Sequence, residues 1–284
     1  MKVKLAAVYG LCGEGDFGVS GAIKLAKVTA RRYPGKTYLI GELVHNPHVT
    51  TQLKKDGVKV VDNLAVVPAA SVVVVKAQGE IPAFFEEAAR RGIKTVDATC
   101  TMVRTAQKML RELVASGKKV IYVASDKNHD EARSVCGQVE NGVKMVTIDE
   151  LENLSIKEPA ETVLLTQTTL STLEISESLE KLRLRYPALT LVPNICDATT
   201  KRQQAVIELA KEVPVVVVVG ASHSSNSNRL KEVARDSGAR AYIVDNAGDL
   251  QKFWFDGVQS VGVTAGASTP DEILSAVVEK LKSF

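Results

Sequence analysis

Long apolar runs are missing from this chain. The longest, VPVVVVVGA at 213–221, is far short of the roughly 20 residues a helix needs to cross a bilayer, so a membrane protein is not expected. Charge of one sign is scarce as well: 36 Lys and Arg against 33 Asp and Glu leave a net +3 over 284 residues. No long basic run occurs, and aromatics make up only 5% of the chain, with no basic patch interleaved with rings. The usual footprint of a nucleic-acid-binding protein is therefore absent. Cysteine is rare, four residues with no closely spaced pair, which argues against a disulfide framework and fits a reducing cytoplasm. No low-complexity segment or obvious linker divides the chain. The opening MKVKLAAVYG soon reaches Glu14 and Asp16 and reads as a first strand, not a signal peptide.

What remains is an ordinary folded composition: 45% hydrophobic, 24% charged, mean hydropathy +0.03. Apolar runs such as SVVVVKAQG, KKVIYVAS, ETVLLTQT and VPVVVVVGA read as buried strands of a parallel sheet. Between them lie stretches with helical spacing, GAIKLAKVTARRYPG, TMVRTAQKMLRELVASG and CDATTKRQQAVIELAKE among them. Strands alternating with helices predict a mostly parallel α/β architecture.

Three strand-like runs each end in a thiol: VKLAAVYGLC at Cys12, KTVDATC at Cys100 and LVPNIC at Cys196. The separations, 88 and 96 residues, are each close to a third of the chain. The expected organisation is three similar α/β domains, 1–97, 98–190 and 191–284, in a pseudo-threefold trefoil. In α/β folds, ligand sites collect outside the carboxyl ends of strands, so such packing brings the three sulfurs to one point. Three converging thiolates without a disulfide pattern point to a metal centre, most naturally an iron–sulfur cluster. The plainer alternative is three packed structural thiols, because free cysteine is among the most buried residue types. Cys136, in ARSVCGQ, falls off the strand-end pattern and reads as such a packed thiol.

Other strand ends carry polar groups: GELVHNP with His45, KAQGE with Gln78, KNHDE with His129 and Glu131, and TQTTLS with Thr168 and Thr169. SHSSNS adds Ser224, Ser225 and Asn226, and AGASTP adds Ser268. Hydroxyls and amides ahead of helices bind phosphate alongside the helix-start N–H groups, although each one singly is read as a helix cap.

Together, GELVHNP, DATC, NHDE, TQTTLS, IC-x-AT-x-x-RQ, SSNSNRL and TAGASTP resemble the 4-hydroxy-3-methylbut-2-enyl diphosphate reductase family, in order and nearly end to end. The resemblance implies one [4Fe–4S] cluster at the centre of the trefoil, held by Cys12, Cys100 and Cys196. Its fourth iron is open to a substrate hydroxyl. The resemblance makes His45 and His129 diphosphate-binding histidines, with Gln78 at the third histidine's position. It makes Ser224, Ser225, Asn226 and Ser268 the remaining diphosphate contacts. Glu131 becomes the proton-relay carboxylate, and Thr168 helps position the hydroxyl. The implied reaction is a two-electron reductive dehydroxylation giving isopentenyl and dimethylallyl diphosphate in the non-mevalonate pathway. An external donor such as a ferredoxin or flavodoxin would supply the electrons.

The chain departs from the family pattern in four places. GEGD intervenes after Cys12, bringing Glu14 and Asp16 beside a ligand; a basic residue is missing in GVSGA; A-H-G reads A-Q-G at Gln78; and DATCP reads DATCT at Thr101. His223, where the family often has Asn, is a candidate compensation. These changes weaken anion binding and spare the thiols and Glu131. The alternative reading is therefore a paralogue with the same cluster that reduces or dehydrates a less anionic alcohol. A cluster-bearing electron carrier is a third reading, disfavoured because a carrier needs no substrate-orienting hydroxyls.

Overall fold

The structure is a computed structural model describing residues 1–13 and 18–284, the side chains of 172–174 excepted. In chain order its principal elements begin with β1 (Lys2–Leu5), α1 (Gly18–Arg32), β2 (Thr37–Ile40), α2 (Pro47–Lys55), β3 (Lys59–Val61), β4 (Val72–Val75), α3 (Pro82–Arg90) and β5 (Lys94–Asp97). Next come α4 (Thr101–Ala115), β6 (Lys119–Ala124), α5 (Asp130–Cys136), β7 (Val143–Thr147), β8 (Thr162–Thr166), α6 (Thr172–Arg185) and β9 (Thr190–Val192). The chain closes with α7 (Asp197–Glu212), β10 (Val215–Val219), α8 (Ser225–Asp236), β11 (Arg240–Val244), β12 (Ser260–Ala265) and α9 (Asp271–Lys282).

Among the described residues the strands form three parallel sheets of four, ordered β3-β2-β4-β5, β7-β6-β8-β9 and β11-β10-β12-β1. One rule generates all three. The first strand of each unit sits inside, the second flanks it, the third lies on its other side, and a fourth closes the edge. In the last sheet the closing strand is β1, from the far end of the chain. It pairs with β12, with Lys2 opposite Ser260 and Leu5 opposite Val263.

That pairing cuts across sequence order. The sheets are not three consecutive stretches: β1 lies within 1–97 yet belongs to the sheet of β10, β11 and β12, and β9 straddles the 190/191 division. A parallel ladder is indifferent to sequence order, so a first strand can close a last sheet. Each closing strand then leads to a thiol: β5 to Cys100, β9 to Cys196 and β1 to Cys12.

Why these runs form central strands is seen in β10. All five of its valines are buried; Val216 and Val218 pack into one core and Val215, Val217 and Val219 into another on the opposite face. Successive side chains alternate faces, so a strand buried on both sides must be apolar throughout, and β-branched valine suits that environment. β6 repeats this, with Ile121 and Val123 on one face and Val120, Tyr122 and Ala124 on the other. Each fully buried large apolar side chain in these strands contributes about 1.5–3 kcal/mol.

Candidate active site

The three thiols are held by one repeated device. The backbone N–H of Cys100 donates to Ala77 O at 2.9 Å, that of Cys196 to Thr168 O at 3.0 Å, and that of Cys12 to Ala267 O at 3.0 Å. Each acceptor lies two residues beyond the end of a third strand, β4, β8 or β12. Cys100 and Cys196 are also the N-caps of α4 and α7. Thr101 stands first in α4, a position whose N–H needs no helical partner, so threonine in place of proline leaves the helix start intact. Residues 14–16 of the GEGD insertion, with Glu14 and Asp16, lie outside the described residues.

Cys12, Cys100 and Cys196 are half-buried and line a single cavity of about 120 Å³. Burial pushes the Cys12 thiol up, the Val19 backbone N–H and the Arg202 guanidinium pull it back, and the neighbouring Cys196 pushes it up again. Burial likewise raises Cys100, the N–H of Met102 opposes this, and both Cys12 and Cys196 add to the rise. The sulfurs thus sit close enough to repel one another as thiolates. An all-sulfur donor set gathered in one cavity, in which neighbouring thiolates oppose the ionisation of Cys12 and Cys100, fits a cationic, thiolate-bound group such as an iron–sulfur cluster. Cys136 is different. It is buried beside Leu110 and Tyr122 and pushed up to about 12 by burial alone, so it is a packed thiol.

Glu131 is only 3% exposed, in the first turn of α5. Its Oε1 accepts from the Thr168 N–H at 2.8 Å and the Tyr122 hydroxyl at 3.3 Å, and the Thr168 hydroxyl donates to its Oε2 at 2.8 Å. Burial raises its pKa, and the bonds from Thr168 and Tyr122 oppose the rise only in part. A carboxyl held in its acid form to higher pH than an exposed one, and linked to a hydroxyl that lines the cavity, is equipped to deliver a proton.

The polar wall of the cavity joins all three sheets. His129 caps α5, its Nδ1 accepting from the Glu131 N–H at 3.2 Å. Because a backbone N–H can only donate, the proton of neutral His129 belongs on Nε2. His129 and His45 stand edge to face, 5.3 Å between ring centroids. Burial, then the neighbouring His129, lowers His45 to about 4, so its ring is neutral at neutral pH. Ser268 Oγ donates to His45 O at 3.2 Å, tying the loop after β12 to the loop after β2. Ser224 caps α8, which presents Ser225 and Asn226 in its first turn. Ser227 behind them is gripped by Gly220 and Gly266, where an added Cβ would meet its Oγ at 2.3 and 2.2 Å; larger residues would dislodge the start of α8.

Every residue the sequence singled out for the site, Cys12, Cys100, Cys196, His45, Gln78, His129, Glu131, Thr168, Ser224, Ser225, Asn226 and Ser268, lines this one cavity. Several of its polar atoms are unspent. His45 Nε2, Gln78 Oε1, Asn226 Nδ2 and Arg202 Nε are buried without a hydrogen-bond partner. An orphaned buried polar group costs about 1–3 kcal/mol, so their concentration here marks a place where a polar ligand belongs.

Sequence reasoning gave no role to Arg202, which is 4% exposed and donates to Gly10 O at 2.7 Å and Ala198 O at 2.8 Å. Its signal was a basic residue on the buried face of α7. Also missed was a polar chain behind the cavity: Gln167 Oε1 accepts from the Ser125 N–H at 2.9 Å, and Gln167 Nε2 donates to Thr169 Oγ1 at 2.9 Å. Thr169 Oγ1 meets Ser225 Oγ at 3.3 Å, which joins the second sheet to α8. The tyrosine supporting Glu131, Tyr122, reads in sequence only as a core aromatic.

The profile of the LytB protein family matches residues 3–282. A 4-hydroxy-3-methylbut-2-enyl diphosphate reductase of Tolumonas auensis is 38% identical over 287 residues, covering 99% of this chain and 91% of its own length. Its counterpart from Wolbachia pipientis of Culex pipiens is 36% identical over 288 residues, covering 99% and 92%. Among solved structures, the E-1-hydroxy-2-methyl-but-2-enyl-4-diphosphate reductase of Plasmodium falciparum superposes with a TM-score of 0.92 at 26% identity, covering 99% of this chain and 88% of its own. A second structure, of an (E)-4-hydroxy-3-methyl-but-2-enyl diphosphate reductase, gives a TM-score of 0.68 at 30% identity, covering 100% and 99%. No described helix is long and apolar enough to cross a membrane. With its profile matched almost end to end and relatives well above 30% identity over nearly their full length, this chain belongs to the LytB protein family.

Proposed function

We propose that this protein is an iron–sulfur reductase that removes the hydroxyl of 4-hydroxy-3-methylbut-2-enyl diphosphate, giving isopentenyl and dimethylallyl diphosphate. The observation that carries the reading is one cavity lined by three thiols, a buried acid coupled to a hydroxyl, and several polar atoms without partners. Relatives and structural neighbours named for this activity support it. Each of the three domains is built on one sheet, the third completed by β1.

In this reading Cys12, Cys100 and Cys196 hold one [4Fe–4S] cluster with an open fourth iron. When bound, the cluster supplies electrons and a Lewis-acidic site for the substrate hydroxyl. Two electrons and two protons enter and one water leaves, so the chain must move protons. Glu131, protonated, passes one through the Thr168 hydroxyl to the departing oxygen, which turns a poor leaving group into water. Thr168 fixes the direction of that transfer, because its backbone N–H and hydroxyl both hold the carboxyl. The diphosphate lies among Nε2 of His129, the His45 ring, the amides of Asn226 and Gln78, the hydroxyls of Ser224, Ser225 and Ser268, and the N-terminal end of α8. Remote binding energy from that end orients the hydrocarbon against Glu131 and Thr168. Val44, Ala77 and Met102 supply the apolar lining for it. Electrons come from a separate low-potential donor such as a ferredoxin or flavodoxin.

A second reading keeps the cluster and changes the substrate to a less anionic alcohol. Gln78 favours it, because an amide cannot supply the charge-assisted bonds of a protonated imidazole. The test is anaerobic incubation of cluster-loaded protein with the hydroxylated diphosphate, with and without a reduced low-potential donor, followed by product identification. Donor-dependent formation of the two diphosphates supports the reductase. Conversion without donor, or none, overturns it.

A further inference from the structure

Glu42, His45 and His223 meet beside the cavity, which His45 lines. Glu42 follows β2 and His223 lies in the turn between β10 and α8, so two different sheets contribute. His223 Nε2 is 2.7 Å from Glu42 Oε2, and the His45 and His223 rings stand edge to face with centroids 5.9 Å apart. One ligand atom from each of the three residues lies within 4.8 Å of the other two. His45 Nε2 is buried and lacks a partner, so this cluster still has an unused donor atom.

We propose that Glu42, His45 and His223 bind a divalent transition ion of the zinc class, and that the ion supplies positive charge to an anionic ligand in the cavity. Two imidazoles and a carboxylate are a preferred ligand set for such ions, and three protein ligands leave the fourth position open. Bonds of about 2.0–2.1 Å place tetrahedral ligands roughly 3.3 Å apart. The three groups are therefore preassembled, and small side-chain rotations bring them to that spacing. Two metal-bound neutral imidazoles, one carboxylate and a dication sum to one positive charge, which favours an anion. His223 is itself a departure from the family pattern. The anion half of this proposal rests on the diphosphate reading; ion binding does not.

The test uses full-length, cluster-loaded protein equilibrated with zinc and then dialysed free of unbound ion. The wild type should retain zinc, and its zinc X-ray absorption should show nitrogen and oxygen neighbours only. Glu42→Gln and His223→Asn should each weaken zinc binding at least tenfold. Unchanged retention in both variants, or sulfur in the zinc shell, overturns the site. Inorganic pyrophosphate should bind the zinc-loaded wild type several-fold more tightly than the zinc-free protein, and zinc should make no difference to His223→Asn. Equal pyrophosphate affinity with and without zinc in the wild type overturns the charge role.

Discussion

The Cys196 N–H donates to the carbonyl oxygen of Thr168 at 3.0 Å, and the other two polar atoms of Thr168 hold Glu131. One residue therefore fixes both a sulfur and the buried acid. The equivalent acceptors for Cys100 and Cys12 are Ala77 and Ala267, whose side chains can hold no carboxyl. The scaffold is threefold and the proton chemistry is not: among the described residues, only the second unit carries an acid at that tether.

Thr168→Val keeps the backbone tether and removes the hydroxyl that lowers the pKa of Glu131. The carboxyl's pKa should rise further, so the limb of the pH–rate profile that falls with loss of the acid moves to higher pH. Turnover should drop at every pH because the relay hydroxyl is gone. Thr168→Ser should restore both. An unmoved limb in Thr168→Val would show that the hydroxyl does not act on Glu131.

Glu131→Gln should keep the cluster and bind substrate but lose turnover by about 10²-fold or more, the scale of a positioned general acid. Stability carries a separate signature. The folded-state pKa of Glu131 is raised, so between the ordinary carboxylate value and the raised one the native protein holds the extra proton. Its contribution is fully present below that window and lost as pH rises through it. Denaturant midpoints should therefore fall more steeply with rising pH in the wild type than in Glu131→Gln.

Single Cys→Ser changes at positions 12, 100 and 196 should each abolish or severely reduce cluster loading, measured as iron and sulfide per chain. Cys136→Ser should load normally, because that thiol packs in an apolar core and lies outside the cavity. Normal loading in Cys100→Ser would break the assignment.

Much of this was legible in the sequence for physical reasons. A strand buried on both faces must be apolar throughout, so β4, β6, β8 and β10 announced themselves, and a thiol after each of three strands marked the centre. β3 did not: three residues at a sheet edge, Lys59–Val61, hold too little apolar surface to form a pattern. The home of β1 was hidden because strand pairing is a long-range choice that local periodicity does not encode. Arg202 and Gln167 were hidden for a related reason. Their roles depend on atoms brought from distant loops, such as Gly10 O for Arg202 and the Ser125 N–H for Gln167.

Gln78→His grades the substrate. Its backbone is fixed, since Ser134 Oγ donates to Gln78 O at 2.5 Å, so the exchange acts on the side chain. If the diphosphate is the substrate, the histidine should tighten its binding by the gain of a charge-assisted over a neutral hydrogen bond, on the order of 1 kcal/mol or several-fold. The gain should grow as pH falls through the histidine range, because only the protonated ring is charged. Titrations at two pH values check this, and a pH-independent loss of affinity would favour the less anionic substrate.

The central claim is that substrate reaches the point where three sulfurs and the Glu131–Thr168 pair converge. Mössbauer spectra of protein loaded with 57Fe, recorded before and after adding the hydroxylated diphosphate without donor, test it most directly. The account predicts that one iron site changes while the cysteine-bound sites stay as they were. Spectra identical before and after, at substrate levels that saturate binding, would contradict it.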